Sequence, residues 1–188
     1  MLSSDEMNAY FDQARFEWFR LEALRSYRTA VEQPRFRAYM AGEPYDPNAE
    51  PKGWYEEIER RTGEGIAYRK VRIANGPLSD YERWEFEWSY APTERRGQRT
   101  FVLDRAETPN TPDLPHYDYW MIDEHVVLRM HYDDHGQFTG AQRIDAPDEI
   151  AAHVRYRDAA LAASVPFPDY WNAHPQYWRQ NWQDTAMS

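Results

Sequence analysis

Apolar residues recur at spacings of three and four from the start of the chain, at Met7, Tyr10, Phe11, Ala14, Trp18, Leu21, Leu24 and Tyr27. That is the repeat of a helix with one buried face. Ser3 and Glu6 stand ahead of it at the spacing of a capping box, so the pattern predicts one long amphipathic helix over residues 3–27. Pro34 interrupts it, residues 36–40 suit one more turn, and residues 42–53, GEPYDPNAEPKG, read as a surface loop because prolines and glycines punctuate them. A short helix over residues 54–61 is closed by Gly63 and Gly65.

The repeat then shortens to two. Over residues 66–74, Ile66, Tyr68, Lys70, Arg72 and Ala74 share one face of a strand, and Ala67, Arg69, Val71 and Ile73 share the other. Neither face is purely apolar. Arg69 and Arg72 fall on opposite faces, so at least one of them meets a carboxylate instead of open water. Residues 79–90 satisfy both repeats: Trp84, Phe86, Trp88 and Tyr90 alternate as in a strand, while Ser79 and Glu82 form a second capping box ahead of a Tyr81, Trp84, Trp88 helical stripe. Strands are predicted at 99–105, 117–123, 126–132 and 137–144, with a proline-rich loop at 106–115 and a turn at Asp133-Asp134-His135-Gly136. Short connections imply antiparallel pairing. Pro147 opens a second long helix carrying Ile150, Val154, Leu161 and Val165, which ends before Pro166. The expected fold is α+β, an antiparallel sheet of about five strands covered by long N-terminal and C-terminal helices.

Composition sharpens the picture. With 188 residues the expectation is a single domain over residues 1–170 with an aromatic-rich tail at 171–188, and 16% aromatic content, including 14 Tyr and 8 Trp, predicts a core built from rings. Buried Tyr and Trp need hydrogen-bond partners, so such a core is half wet, or it borders a concave pocket or an interface. The formal net charge of -10 argues against direct nucleic-acid binding, which needs a basic face. The absence of cysteine excludes disulfides and thiol chemistry. No stretch resembles a secretory leader or a membrane span, so the expectation is a cytoplasmic protein without membrane association.

Motifs for chemistry are sparse. The cluster His131 to His135, with His116 and Asp118, straddles a strand end and a turn and lacks the helical geometry of a zinc site, so no metal or cofactor is expected. Gly63-Glu64-Gly65 precedes a strand instead of following one, which is the wrong order for a dinucleotide fingerprint. The densest mixture of charge and rings is Arg69, Arg72, Asp80, Tyr81 and Glu85, with Trp120 and Asp123 on a later strand. Such a block is either a buried hydrogen-bonded network or a ligand site.

Several of these pieces resemble one family: FRLEALRSY at 19–27, RKVRI at 69–73, PLSDYERWE at 77–85, DYWMID at 118–123 and PFPDY at 166–170. They are similar to the actinobacterial proteins grouped as domain of unknown function 6879, which are commonly encoded beside helix-turn-helix regulators. The resemblance implies a helix over 79–90 leading into an Ala-Ala-Gly-Glu turn; here that turn is Arg95-Arg96-Gly97-Gln98. It also implies an accessory role in a regulatory system, and it transfers no catalytic residue. The motif is densest at Arg72, Asp80, Tyr81, Trp120 and Asp123.

The functional expectation is a non-catalytic binding module that holds a helix-turn-helix regulator or a small-molecule effector through the Arg/Asp/aromatic block. An acidic protein suits a basic DNA-binding partner. The alternative is an enzyme acting on a small polar or nucleotide-like substrate in an aromatic pocket, with Glu85 or Asp123 as base and Arg72 holding an anionic group. A third reading is self-association through the tryptophans of the tail.

Overall fold

The apolar repeat that predicts one helix over residues 3–27 divides into a helix and a strand. The computed structural model describes the backbone of residues 1–184 and the side chains of residues 1–181. Helix α1, Ser4–Phe11, begins on the Ser3/Glu6 capping box, with both reciprocal hydrogen bonds formed. The chain then turns at residues 12–16 and enters strand β1, Glu17–Glu22. Asp123 decides where β1 starts: its carboxylate accepts the backbone N–H groups of Arg15 at 2.7 Å, Phe16 at 3.0 Å and Glu17 at 2.8 Å. Those three donors cannot then serve a continuing helix. All six residues of β1 are buried, so its sequence lacks the alternation that marks a strand with one wet face.

Strands β2 (Ala67–Ala74), β3 (Arg99–Asp104), β4 (Tyr119–Ile122), β5 (Val126–Tyr132), β6 (Phe138–Ile144) and β7 (Val165–Pro166) join β1 in a sheet of order β6-β5-β4-β1-β2-β3-β7. The sheet is mixed, which corrects the expectation of about five antiparallel strands. β1 runs parallel to β2 and β2 parallel to β3, whereas β4, β5, β6 and β7 join antiparallel. The parallel pairs exist because helical crossovers separate those strands in sequence. Arg20 lies beside Lys70 and Glu22 beside Arg72 in the β1–β2 register.

Of the two long covering helices expected, the C-terminal one is present and the N-terminal one is not. Helix α6, Pro147–Ala163, covers the face that carries Phe19, Leu21, Val71, Ile73, Tyr119 and Met121. The opposite face carries Trp18, Tyr68, Trp120 and Leu128, and α1 and helix α3, Lys52–Gly63, pack against it. Helix α2, Glu32–Met40, and helix α4, Asp80–Glu85, meet beside them through Phe36, Tyr39, Tyr81 and Trp84.

The ambiguous stretch after Ser79 is helical, with its capping box formed. It continues through a π-helical turn, Phe86–Tyr90, into α5, Ala91–Glu94. Pro92 has no N–H to offer the carbonyl of Trp88, four residues back. That carbonyl accepts Arg35 Nη2 of α2 at 2.5 Å instead, so a local irregularity becomes a tertiary tie. In the turn that follows, Gly97 has φ 102°, and a Cβ there would sit 2.5 Å from Thr62 Oγ1. Only glycine fits between that backbone and α3.

Helix α7, Phe167–Ala173, and the 3-10 turn Pro175–Tyr177 fold back on the domain. Trp171 meets Phe86 edge-on, Trp178 donates its Nε1–H to Trp171 O at 2.9 Å, and Arg179 lies over the rings of Tyr39 and Trp88. The Trp182 side chain, spaced in sequence to share a face with Trp178, and residues 185–188 lie outside the described residues. Among the described residues no helix is long and apolar enough to cross a membrane.

Asp123 has φ 50°, a conformation that Asn tolerates about as well and Ala does not. Asp123→Ala is therefore expected to destabilise the protein by about 3 kcal/mol, through loss of charge-assisted hydrogen bonds and backbone strain. Asp123→Asn should recover part of that loss. Thermal or urea unfolding of the two variants against wild type checks the order.

Candidate functional site

A cavity of about 390 Å³ opens on the sheet face opposite α6, where β1, β2, β4 and β5 pass beneath α2, α3 and α4. Its walls are rings: Tyr27, Trp54, Tyr55, Tyr68, Trp120 and Tyr132. Tyr68 and Trp120 lie 5.6 Å apart, and Trp54 meets Trp120 edge-on at 6.3 Å. Trp54 and Val31, 37% and 59% exposed, edge the cavity. A wider depression of about 690 Å³ beside the Gly97 turn is open, and backbone and glycine form much of its floor. The smaller cavity is the better candidate, because it combines apolar walls with a few buried polar groups.

Those polar groups come from alternate positions on two parallel strands. Arg20 of β1 donates through Nη2 to Asp118 Oδ2 at 2.7 Å and to the Tyr132 hydroxyl at 2.7 Å, and its guanidinium lies 5.1 Å from the Trp120 ring. Asp118, wholly buried, also accepts the Tyr27 hydroxyl at 2.8 Å and the backbone N–H of Ala23 at 2.7 Å. Glu22 pairs with Lys70 Nζ at 3.0 Å and accepts the Tyr90 hydroxyl at 2.7 Å. Arg72 lies beneath the cavity, 3.5 Å from Glu85 and 3.7 Å from Glu82, and donates to the Tyr27 hydroxyl at 3.1 Å.

Several of these groups are left short of hydrogen-bond partners among the described residues: Arg20 at Nε and Nη1, Arg72 at Nε, Glu82 at Oε1 and Glu85 at Oε2. At the cavity, among the described residues, Arg20 Nη1 has no hydrogen-bond acceptor and Glu85 Oε2 has no hydrogen-bond donor, Arg72 Nη2 standing 3.5 Å from it. Both residues line the cavity, and both are more than nine-tenths buried. A buried polar group left unpaired costs about 1–3 kcal/mol, so a native fold that keeps several at one cavity invites a functional explanation.

The electrostatics separate the two carboxyls. Burial alone would raise Glu22, but Lys70, Arg20 and Arg72 outweigh it and hold its pKa at about 2. Burial raises Glu85 and Arg72 opposes that, yet the neighbouring Glu22 adds to burial and the pKa reaches about 8. Lys70, which burial would lower, is held by Glu22 at about 12. At neutral pH the cavity thus presents an ionised Glu22–Lys70 pair beside a mostly protonated Glu85. A carboxyl poised near pH 7 suits proton exchange or the recognition of a base.

The residues singled out in the sequence fall into three places. Glu85 and Trp120 line the cavity. Arg72 and Tyr81 lie behind it, the Tyr81 hydroxyl donating to Glu32 Oε2 at 3.2 Å. The other three lie elsewhere: Arg69 pairs with Glu17 on the α6 face, Asp80 is largely exposed beside Arg83 at 3.7 Å, and Asp123 caps the start of β1. Arg20, Glu22 and Lys70 were missed as site residues. Lys70 shares a strand face with Tyr68 and Arg72 in the sequence, but Arg20 and Glu22 lie in a segment whose repeat reads as helix. Of the departing turn, Arg96 stands 4.4 Å over the ring of Tyr55 and pairs with Glu50 at 2.6 Å, so it supports a cavity wall from behind.

Asp133 accepts the backbone N–H groups of His135 and Gln137 at 2.9 Å, which gives it a turn-forming role in the His131–His135 cluster. Among the described residues no three His, Asp or Glu side chains group so as to hold a metal ion. A family model described as Domain of unknown function (DUF6879) matches residues 5–172. A search of curated proteins found no match.

The opposite shifts of Glu22 and Glu85 predict how stability follows pH. Glu22, lowered from 4.5 to about 2, contributes stability that is present above pH 4.5 and lost as pH falls through 2. Glu85, raised from 4.5 to about 8, binds a proton in the folded state that the unfolded chain has released, so stability falls as pH rises from 4.5 to 8. Glu85→Gln should remove that decline. The variant is expected to gain on wild type between pH 5 and pH 8, by on the order of a few kcal/mol at the upper end. Urea denaturation across that range gives the comparison.

Proposed function

Starting from the domain of unknown function 6879 family, to which the chain belongs, we propose that this protein is a binding module for a small polar ligand held in the sheet-face cavity. The observation that carries this reading is the pair of buried, incompletely bonded groups, on Arg20 and Glu85, at a cavity otherwise walled by rings. A core that served stability alone would be cheaper with those positions apolar, since replacing buried ion pairs by well-packed hydrophobic residues is often neutral or stabilising. The ligand acts as an effector in a cytoplasmic regulatory system, and the output passes to a protein partner. The net charge of -10 suits a basic helix-turn-helix regulator.

A second reading, catalysis on a small polar or nucleotide-like substrate, has one specific observation in its favour. Glu85, with its pKa near 8, is fitted to act as general acid or base among Arg20, Lys70 and the rings. Asp123 is unsuited to that role, because its carboxylate is taken up by backbone N–H groups.

A thermal-shift screen of small metabolites against wild type and Val31→Trp tests the binding reading. Val31 is exposed at the cavity edge, so the indole obstructs the cavity without disturbing the core. At least one compound should stabilise wild type, and its affinity should drop about tenfold or more in the variant. A ligand bound equally by both proteins would place binding elsewhere, and turnover of that ligand, lost in Glu85→Gln, would favour the enzyme reading.

A further inference from the structure

The chemistry of the unpaired groups narrows the ligand, on the premise that the cavity binds one. Arg20 Nη1 is a cationic donor that lacks an acceptor. Glu85 Oε2 is a carboxyl oxygen that lacks a hydrogen-bond donor. We infer that the cavity takes a free α-amino acid, its carboxylate on the Arg20 guanidinium, its ammonium on Glu85 and its apolar side chain between the rings of Trp54, Tyr68 and Trp120.

The surrounding charges select against either half of such a ligand alone. A simple carboxylate would gain Arg20 but would bring a second anion close to Glu22, which also lines the cavity. A simple amine would gain Glu85 but would approach Arg20 and Lys70. Lys70 and Glu22 are already bound to each other at 3.0 Å, so neither is free to compensate. A zwitterion brings an anion for Arg20 and a cation for Glu85 at once, which is specificity by repulsion of the alternatives as much as by attraction. The size agrees: a cavity of about 390 Å³ lies at the small end of the range for organic ligands. The rings supply faces for an apolar or aromatic side chain and a negative quadrupole for the ammonium.

Binding carries a proton signature. The Glu85 carboxyl gives up its proton to the buffer as the ammonium, which keeps all of its own, takes the place beside it. At pH 7 the complex therefore releases close to one proton per ligand bound. A packing role for Glu85 would release none.

Isothermal titration calorimetry of the full chain with L-phenylalanine, 3-phenylpropanoate and phenethylamine decides the matter, since the three share the ring and its two-carbon chain and differ only in the charged groups. L-phenylalanine should bind at least tenfold more tightly than either of the others. Its enthalpy should vary with the ionisation enthalpy of the buffer, and both effects should be lost in Glu85→Gln, a near-isosteric variant. Equal binding of 3-phenylpropanoate or phenethylamine, or binding of L-phenylalanine without proton release, would overturn the inference and leave the cavity reading intact. If none of the three binds while the metabolite screen yields cavity-dependent ligands, the amino-acid assignment alone fails. If the screen is silent as well, the cavity reading fails with it.

Discussion

Much of the structure depends on the carboxylate of Asp118. It is wholly buried, yet one oxygen accepts Arg20, Tyr27 and Tyr132 and the other accepts the backbone N–H groups of Ala23 and Leu24. Those partners come from β1, the segment after it, and β5, so one residue ties the end of a central strand to the connection that leaves the sheet. A carboxylate so surrounded by donors is charge-assisted in each bond, and removing it would leave Arg20 as an uncompensated buried cation. The cavity depends on it, because Arg20 is held over Trp120 by the Asp118 contact.

From that anchor the charges run across the sheet in one sequence. Arg20 and Glu22 of β1 face Lys70 and Arg72 of β2, and α4 brings Glu82 and Glu85 onto Arg72 from above. Each link satisfies part of the next, and the deficit is spread along it among the described residues, on Arg20 Nε and Nη1, Arg72 Nε, Glu82 Oε1 and Glu85 Oε2. The same arrangement explains why Glu22 and Glu85 titrate so differently although both are buried. Glu22 has three cations, Lys70, Arg20 and Arg72, and a tyrosine hydroxyl, whereas Glu85 shares Arg72 with Glu82 and feels Glu22 nearby. Stability and the proposed binding thus draw on one network.

Where local rules act alone, the sequence is a good guide. Both capping boxes form, the hairpin at Asp133–Gly136 forms, β5 spans the expected residues, and the helix opened by Pro147 stands on its side of the sheet. The aromatic composition foretold a core of rings with hydroxyls needing partners, and Tyr27, Tyr90 and Tyr132 each find one. The failure at β1 is instructive. Trp18, Leu21 and Leu24 recur as in a helix, but the strand is buried on both faces, so Arg20 and Glu22 enter the interior with Trp18 while Phe19 and Leu21 face α6. Charge inside is invisible to a reading that equates charge with solvent.

The sequence by itself determined the α+β character, the meander of β4, β5 and β6, the C-terminal helix, the family likeness and the interest of Arg72, Glu85 and Trp120. Only the tertiary structure decided that β1 is a central strand parallel to β2, and therefore that Arg20, Glu22 and Lys70 belong to the site. The physical reason is separation in sequence. Local capping and turn geometry involve residues a few positions apart, whereas Asp118 and Asp123 act on β1 from about a hundred positions away, outside any window in which periodicity is read.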